Sequence, residues 1–448
     1  MMTTLHAKTA LTAGGWLRDV RLMLENGRIA RVEVGVAATP TDERLDVLLP
    51  AMPNLHSHAF QRAMAGLTEV RGTGDDSFWS WRTLMYRFAL SMTPDQVEAV
   101  AAQLYMEMLE AGFGRVGEFH YLHHDKDGTA YANSAEMAER IAAAAAKTGI
   151  GLTLLPVFYA HSGFGGQAAG EGQRRFVNST ESFARLMEGA AKAVASLPKS
   201  RIGIAPHSLR AATIEEIAEI LPLAKDGPVH IHVAEQVKEV EDCVAFSGAT
   251  PVNYLLANAP VDQRWCLIHA THITEAETRA MARSGAVAGL CPVTEANLGD
   301  GIFPGADFLA AGGAFGIGSD SNVLIGLGDE LRQLEYSQRL ARRARNVMAP
   351  VNGSTGRALF DRALVGGSRA LAYEAGIREG ALADLVSLDL SGHPWVTGDT
   401  VLDHLIFAGG PKPDSVWVNG VRQVKGGRHK FREGIEARFR ATMQALLS

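Results

Sequence analysis

The chain has 448 residues, of which 47% are hydrophobic and 21% charged, and its formal net charge is −6. This length allows a large barrel of roughly 250 residues or more with a smaller appended module, and the composition is that of a globular protein. A slightly acidic chain offers no basic surface, so we expect neither nucleic acid nor a membrane as partner. Three scattered cysteines, no apolar run of roughly 18 residues and no signal-peptide core predict a cytoplasmic protein.

Both ends of the chain show the alternating apolar and polar pattern of β-strands. Residues 19–24 and 28–32 flank Glu25-Asn26-Gly27 and predict a hairpin. Near the other end, residues 385–390 predict a strand, and residues 415–418 and 421–424 are joined by Asn419-Gly420, a favoured hairpin turn. We therefore expect residues 1–48 and 372–448 to pack together as one small β-sandwich domain.

The middle of the chain alternates helical stretches with short apolar segments. The helical stretches include residues 93–112, 134–148 and 214–224, and the apolar segments include residues 151–157, 229–233 and 265–269. Repetition of strand and helix over this length predicts a parallel α/β structure, and we expect residues 49–371 to form a (β/α)8 TIM-type barrel. The glycine-rich residues 163–172 are predicted to be a mobile loop and a possible lid.

Polar residues follow several of the apolar segments, where a barrel places its catalytic groups. These residues are His56, His58, His207, His232, Glu235, His269 and Asp320. Residues two apart on a strand point to the same side, so His56 and His58 can converge on one ion. Alone, the pair is equally compatible with structural histidines. Asp320 alone has the alternative of capping a turn. Their recurrence at four strand ends favours a metal centre.

Three imidazoles and one carboxylate, from His56, His58, His232 and Asp320, suit one divalent ion. Zinc is the favoured metal, with Fe²⁺ and Mn²⁺ as alternatives. No lysine ends the strand at residues 202–205, so a mononuclear site is preferred over a binuclear one. His230 precedes His232 by two positions and is an alternative ligand, but the spacing of His232 and Glu235 favours His232.

The order His-x-His, His-x-x-Glu, His269 and Ser319-Asp320 resembles the amidohydrolase superfamily, specifically its mononuclear deaminase branch. Residues 53–66, 119–124 and 232–236 are similar to the formimidoylglutamate deiminases of bacterial histidine breakdown, and the similarity covers nearly the whole chain. This resemblance implies hydrolysis of N-formimidoyl-L-glutamate to N-formyl-L-glutamate and ammonia by a homodimer.

The implied chemistry assigns roles to three residues. Asp320 takes a proton from the attacking water, His269 holds and polarises the resulting hydroxide, and Glu235 carries a proton to the leaving nitrogen. Without His232, Glu235 would be interpreted as an exposed glutamate at the start of a helix.

A substrate with two carboxylates requires arginines and other donors. Arg82, within an aromatic loop at residues 78–82, and Arg210 are the candidates, and the resemblance adds Gln61, Tyr121 and His207. Each has the alternative of a surface ion pair or a packed aromatic. The cluster of His120, His123 and His124 is either part of the site or a set of solvated loop residues.

Two other functions stay open from the sequence. A deaminase of guanine or a related heterocycle belongs to the same superfamily, although a flat heterocycle does not need two arginines. A catalytically inactive barrel scaffold is the alternative from a different class of protein, and it would lack a tightly bound metal.

Overall fold

A computed structural model describes residues 3–71 and 78–448. Its central feature is a barrel of parallel strands: β5 (Met52–Ser57), β6 (Phe113–His120), β7 (Gly151–Phe158), β8 (Arg201–Ile202) with β9 (Ala205–Pro206), β10 (Val229–Val233), β11 (Trp265–His269), β12 (Val287–Leu290) and β13 (Ala314–Ile317). Parallel bridges between Ile204 and Val229 and between Ser57 and Asp320 close the ring. The predicted TIM-type barrel is confirmed.

Helices connect the barrel strands and cover the barrel. They are α1 (Phe78–Ser91), α2 (Pro94–Glu110), α3 (Glu136–Thr148), α4 (Thr180–Val194), α5 (Ile214–Ile220), α6 (Val237–Ser247), α7 (Pro251–Asn258), α8 (Glu275–Ser284), α9 (Pro292–Leu298), α10 (Gly305–Ala310), α11 (Leu327–Arg342) and α12 (Thr355–Ala370). Short 3₁₀ helices occupy Ala59–Met64, Glu171–Gln173 and Leu221–Ala224. In the described ranges, no helix has the length and apolarity needed to span a membrane.

Local sequence signals explain where several of these helices begin and end. The Thr93 hydroxyl accepts a hydrogen bond from the Gln96 N–H, the Gln96 side-chain oxygen accepts one from the Thr93 N–H, and Pro94 occupies the first turn of α2. Helix α3 ends at Gly149, where a φ of 76° favours glycine. The helices predicted at residues 93–112, 134–148 and 214–224 are therefore confirmed, the last as α5 followed by a 3₁₀ turn.

The two ends of the chain build one eight-stranded sheet beside the barrel. Its strands are β1 (Thr3–Thr12), β2 (Gly15–Glu25), β3 (Arg28–Val34), β4 (Glu43–Pro50), β14 (Leu385–Leu388), β15 (Pro413–Val418), β16 (Val421–Lys425) and β17 (Arg428–His429), in the order β17-β16-β15-β14-β4-β1-β2-β3. Helices α13 (Thr400–Phe407) and α14 (Arg432–Leu447) complete the C-terminal part.

Both predicted hairpins are present in this sheet. Asn26 and Gly27 have φ values of 51° and 79°, and Asn419 and Gly420 have 47° and 72°, as a type I′ turn requires. The sheet brings β4 and β14 together as antiparallel neighbours. The predicted small domain formed by both termini is confirmed, whereas the boundaries at residues 48/49 and 371/372 stay predictions.

Candidate active site

Four of the predicted side chains meet at the carboxyl ends of the barrel strands. His56, His58, His232 and Asp320 are buried, and each offers a ligand atom within 4.8 Å of the others. The Oδ1 atom of Asp320 lies 3.4 Å from Nε2 of His56 and 3.2 Å from Nε2 of His58. Nε2 of His232 lies 3.1 Å from that of His56. These separations bring three nitrogen donors and one oxygen donor around a single point.

Closure of the barrel sets this geometry. His56 lies in β5 and His58 directly follows the end of that strand, and both point inward, as their spacing predicts. Asp320 follows β13 with a φ of 46°, and its backbone bonds the segment that carries His56 and His58. The Asp320 N–H donates to the His56 carbonyl, and the His58 N–H donates to the Asp320 carbonyl, both at 3.0 Å. The first and last strands of the barrel therefore carry ligands held in register with each other.

Backbone carbonyls orient two of the imidazoles. Nδ1 of His58 donates to the Phe119 carbonyl at 3.0 Å, and Nδ1 of His232 donates to the His207 carbonyl at 2.9 Å. A proton on Nδ1 leaves Nε2 with a lone pair directed at the centre, which is the arrangement of metal-ligating histidines.

A buried amide network supports the turn that carries Asp320, and no periodic pattern of residues predicts this network. The Asn54 side chain donates to Ser319 Oγ at 2.7 Å and accepts from the Ser319 N–H at 3.1 Å. The Asn322 side chain donates to the carbonyls of His58 and Asp320 at 3.0 and 2.9 Å. These bonds tie the β13 turn to β5 without using the ligand atoms.

The charge states of His56, His232 and Asp320 suit a cation. Burial lowers the pKa of His56 to about 3 and that of His232 well below its usual value. Burial opposes ionisation of Asp320, but the neighbouring His56 and His58 hold the pKa of its carboxyl well below the usual range. Neutral imidazoles and an ionised carboxylate are the forms that bind a divalent metal. The donor set therefore fits one such ion.

His230 does not join this group. Its ring is buried and donates from Nε2 to the Ala370 carbonyl at 2.8 Å, at the C-terminal end of α12. Among the described residues, the group of four potential ligands contains His232 and not His230.

Two further predicted residues lie against the metal centre. Nε2 of His269 is 3.8 Å from Asp320 Oδ2 and 3.7 Å from Glu235 Oε1. Burial opposes protonation of His269, but Glu235, Glu295 and Asp320 raise its pKa to about 10. Burial raises the pKa of the Glu235 carboxyl, and Asp320 adds to that effect. Glu235 is 6% exposed, so the alternative of an exposed helix-opening glutamate is wrong.

Two carboxylates that were not predicted from the sequence hold His269 and Glu235 in position. Glu295 Oε1 lies 3.2 Å from His269 Nδ1 and also accepts the Cys291 N–H at 2.9 Å. Glu239 accepts the backbone N–H groups of Ala234 and Glu235 at 3.0 and 3.3 Å. Neither has a fixed spacing from a motif, because packing of α9 and α6 brings them into place.

The predicted substrate-binding residues line one cavity above the metal centre. Its walls include Gln61, Arg82, Tyr121, His207 and Arg210, together with Glu235, His269 and Asp320. Gln61 donates to the Tyr121 hydroxyl at 2.9 Å, and burial lowers the pKa of His207 well below its usual value. One cavity therefore combines the ligands, the proton-carrying candidates and the predicted anion-binding residues.

The arginines enter from two different elements. Arg210 follows β9, is 7% exposed and has its Nε 3.9 Å from Glu239 Oε2. Arg82 lies 5.1 Å from the centre of the Tyr86 ring. The prediction of an aromatic loop at residues 78–82 is wrong, because these residues form the first turns of α1. That helix buries Phe78, Met85 and Phe88 on one face, which the run of aromatics obscured.

Two other predicted features lie outside the cavity wall. His120 and His123 are buried, so the alternative of solvated loop residues is wrong for them; His123 bonds the Val157 carbonyl at 2.9 Å. The glycine-rich residues 163–172 lie beside α6, where Phe164 stacks on Phe246 with ring centres 6.0 Å apart. Its role as a lid stays a prediction.

Comparisons with known proteins agree with this architecture. Residues 47–422 match the Amidohydrolase family, and residues 2–46 match the N-terminal domain of formimidoylglutamate deiminase HutF. A formimidoylglutamate deiminase from Pseudomonas aeruginosa is 51% identical over 453 residues, covering 99% of each chain.

Solved structures give the same result. An amidohydrolase from Brucella melitensis has a TM-score of 0.98 and 61% identity over 100% of both chains. An adenosine deaminase from Xanthomonas campestris with bound zinc has a TM-score of 0.82 and 22% identity, over 99% of this chain and 98% of that one, which shows a shared fold. The chain therefore belongs to the amidohydrolase family and, within it, to the formimidoylglutamate deiminases.

Proposed function

We propose that this protein hydrolyses N-formimidoyl-L-glutamate to N-formyl-L-glutamate and ammonia, as a step in histidine degradation. The observation that carries this proposal is one cavity in which two arginines face a centre of three histidines and one aspartate. The high identity with the Pseudomonas aeruginosa formimidoylglutamate deiminase supports the same activity.

We assign one divalent metal ion to His56, His58, His232 and Asp320, and zinc is the preferred metal, with Fe²⁺ and Mn²⁺ as alternatives. Such an ion supplies Lewis acidity that makes water a nucleophile at neutral pH. An ionised Asp320, and the rings of His58 and His232 that backbone carbonyls hold in place, support this assignment.

The remaining chemistry is the movement of protons. Water adds to the formimidoyl carbon, and Asp320 takes a proton from the water. His269, whose Nε2 lies beside Asp320, stabilises the oxygen as negative charge develops on it. Glu235 gives a proton to the terminal nitrogen as the water adds, which leaves an amino group on the tetrahedral carbon. The proton held by Asp320 then passes to that amino group, and the hydroxyl proton returns to Glu235 as the carbon–nitrogen bond breaks and ammonia leaves. The raised pKa of Glu235 suits a residue that must hold a proton before giving it away.

The cavity also fits the rest of the substrate. Arg82 and Arg210 provide fixed positive charge for the two carboxylates, and His207 and the bonded pair of Gln61 and Tyr121 provide polar contacts at the wall. A flat heterocycle such as guanine has no carboxylate to pair with these arginines. Guanine would therefore gain no ionic contact from either arginine, which argues against guanine as the substrate.

A substrate panel tests the proposal. Purified enzyme is loaded with zinc, and ammonia release is measured with N-formimidoyl-L-glutamate, other formimidoyl amino acids and guanine. We expect turnover of N-formimidoyl-L-glutamate and none of guanine; the reverse result would sink the proposal. Elemental analysis is the second measurement, because an inactive scaffold predicts less than one tightly bound metal per chain and no rescue by zinc.

Several expectations from the sequence have no independent support here. The homodimer, the cytoplasmic location and the lack of nucleic-acid or membrane partners stay predictions. The small dicarboxylate partner is part of the proposed function.

A further inference from the structure

Tyr159 belongs to the cavity wall but has no assigned role in the proposed reaction. It directly follows β7 and is 3% exposed, and it lines the cavity together with Arg82 and Arg210. Its ring centre lies 4.7 Å from that of His207. The packing fixes the ring, so the position of its hydroxyl is set by the fold.

Two donors fill the lone pairs of this hydroxyl. Arg82 Nη2 donates to the Tyr159 oxygen at 3.3 Å, and Gln173 Nε2 donates to it at 2.7 Å. The orientation of the Gln173 amide is defined, because its Oε1 accepts the Gly170 N–H at 2.8 Å. An arginine can only donate. Tyr159 therefore accepts both bonds, and its own O–H must find an acceptor elsewhere.

Among residues 3–71 and 78–448, no acceptor lies within hydrogen-bond distance of the Tyr159 hydroxyl. The open space next to this group is the cavity. A buried O–H without an acceptor is unfavourable, and accepting a bond from a guanidinium strengthens the O–H as a donor. The free proton thus lies beside the two positive charges of Arg82 and Arg210.

We propose that the Tyr159 hydroxyl donates a hydrogen bond to one carboxylate of the substrate, completing an anion pocket with Arg82 and Arg210. This makes Tyr159 a specificity-determining residue, and the inference rests on the proposed function. Gln173 is the positioning residue for that proton, because its amide occupies a lone pair that would otherwise leave the hydroxyl free to rotate.

The first test is Tyr159→Phe in the metal-loaded enzyme, which keeps the ring and removes the donor. A hydrogen bond to a charged group predicts a fall of about 10- to 100-fold in kcat/KM for N-formimidoyl-L-glutamate, mainly through KM. Metal content is expected to stay the same. Tyr131→Phe is the control, because that hydroxyl bonds Asp125 and Arg175 outside the cavity.

Two truncated substrates identify the acceptor. N-formimidoyl-γ-aminobutyrate lacks the α-carboxylate, and N-formimidoyl-α-aminobutyrate lacks the side-chain carboxylate. Tyr159→Phe is expected to leave kcat/KM nearly unchanged for the substrate without the bonded carboxylate and to lower it for the other. An equal loss with all three substrates, or no loss, would overturn the proposal. Lack of turnover by the unmodified enzyme would instead refute the proposed function.

The second test reverses the hydrogen bond to Gln173. In Gln173→Glu the carboxylate accepts the Tyr159 proton, so we expect a loss like that of Tyr159→Phe. Added negative charge also repels the substrate, and the double variant separates the two effects. If the loss in Gln173→Glu comes from capture of the Tyr159 proton, adding Tyr159→Phe to that variant should lower kcat/KM only slightly further. Full additivity of the two losses would overturn the role of Gln173 and of the free proton.

Discussion

Glu235→Gln tests the proton transfer to the leaving nitrogen. Glutamine has nearly the same volume as glutamate, so it fits the buried position whose backbone Glu239 holds. The glutamine side chain keeps an oxygen facing His269, whose Nε2 lies 3.7 Å from Glu235 Oε1 in the parent. An amide cannot carry the proton that Glu235 transfers. General acid–base catalysis contributes about 100- to 10,000-fold, which corresponds to roughly 3 to 5 kcal/mol of transition-state stabilisation. We expect kcat to fall within this range.

The same substitution is expected to preserve the fold. The pKa of Glu235 is raised, so the folded protein binds this proton more tightly than the unfolded chain does. The resulting stability is present at low pH and is lost as pH rises from the usual carboxyl pKa through the raised one. Glutamine removes that loss, so the variant is expected to be at least as stable as the parent at neutral pH.

Steady-state ammonia release, elemental analysis and thermal unfolding together test this prediction. Metal content and KM should change little, because Glu235 is outside the four-residue metal centre and the arginines remain. Glu241→Gln, an exposed position on α6, is the matched control and should behave as the parent. A kcat for Glu235→Gln within about threefold of the parent would remove Glu235 from the mechanism.

Three more changes address the anion pocket, the metal centre and the terminal sheet. Arg210→Met should raise KM and lower kcat/KM by about 100-fold or more, with bound metal unchanged; equal kinetics would place the carboxylates elsewhere. Asp320→Asn should lower bound metal below one ion per chain and abolish turnover, as measured by elemental analysis and ammonia release; full metal content would contradict the ligand assignment. Burial opposes ionisation of Asp42, but hydrogen bonds from Thr39 and Arg21 lower the pKa of its carboxyl from 3.8 to about 2. The ionised carboxylate therefore stabilises the fold above pH 3.8, and this stabilisation is lost as the pH falls through about 2. Asp42→Asn should unfold at a lower temperature at neutral pH and lose less stability on acidification; parallel pH profiles would refute this.

The barrel and the metal centre were predictable because their signals are local. Alternation along single strands revealed the terminal hairpins, and Asn419-Gly420 marked one turn directly. His56 and His58 lie two apart at the end of β5, so the spacing itself predicted that they converge. His232 lies near the end of apolar strand β10 and Asp320 follows β13, and all parallel strands end at one face of a barrel.

The supporting residues were not predictable for a physical reason. Asn54 contacts Ser319, and Asn322 contacts the His58 carbonyl, only because β5 and β13 close the barrel. Glu295 reaches His269 from a separate helix. Such contacts depend on tertiary packing and leave no period in the sequence. Tyr159 looked like one more aromatic residue after a strand, and only its two hydrogen-bond donors distinguish it.

The join between the terminal sheet and the barrel bears on how the protein is made. Strand β4 ends at Pro50, and β5, which carries His56, begins at Met52, whereas the partner strand β14 begins only at Leu385. At about 5 to 20 residues per second, the ribosome needs roughly 15 to 70 s to reach β14. During that interval β4 has an unpaired edge next to the segment that holds the first two metal ligands. The terminal sheet can therefore be completed only after all the barrel strands have been synthesised.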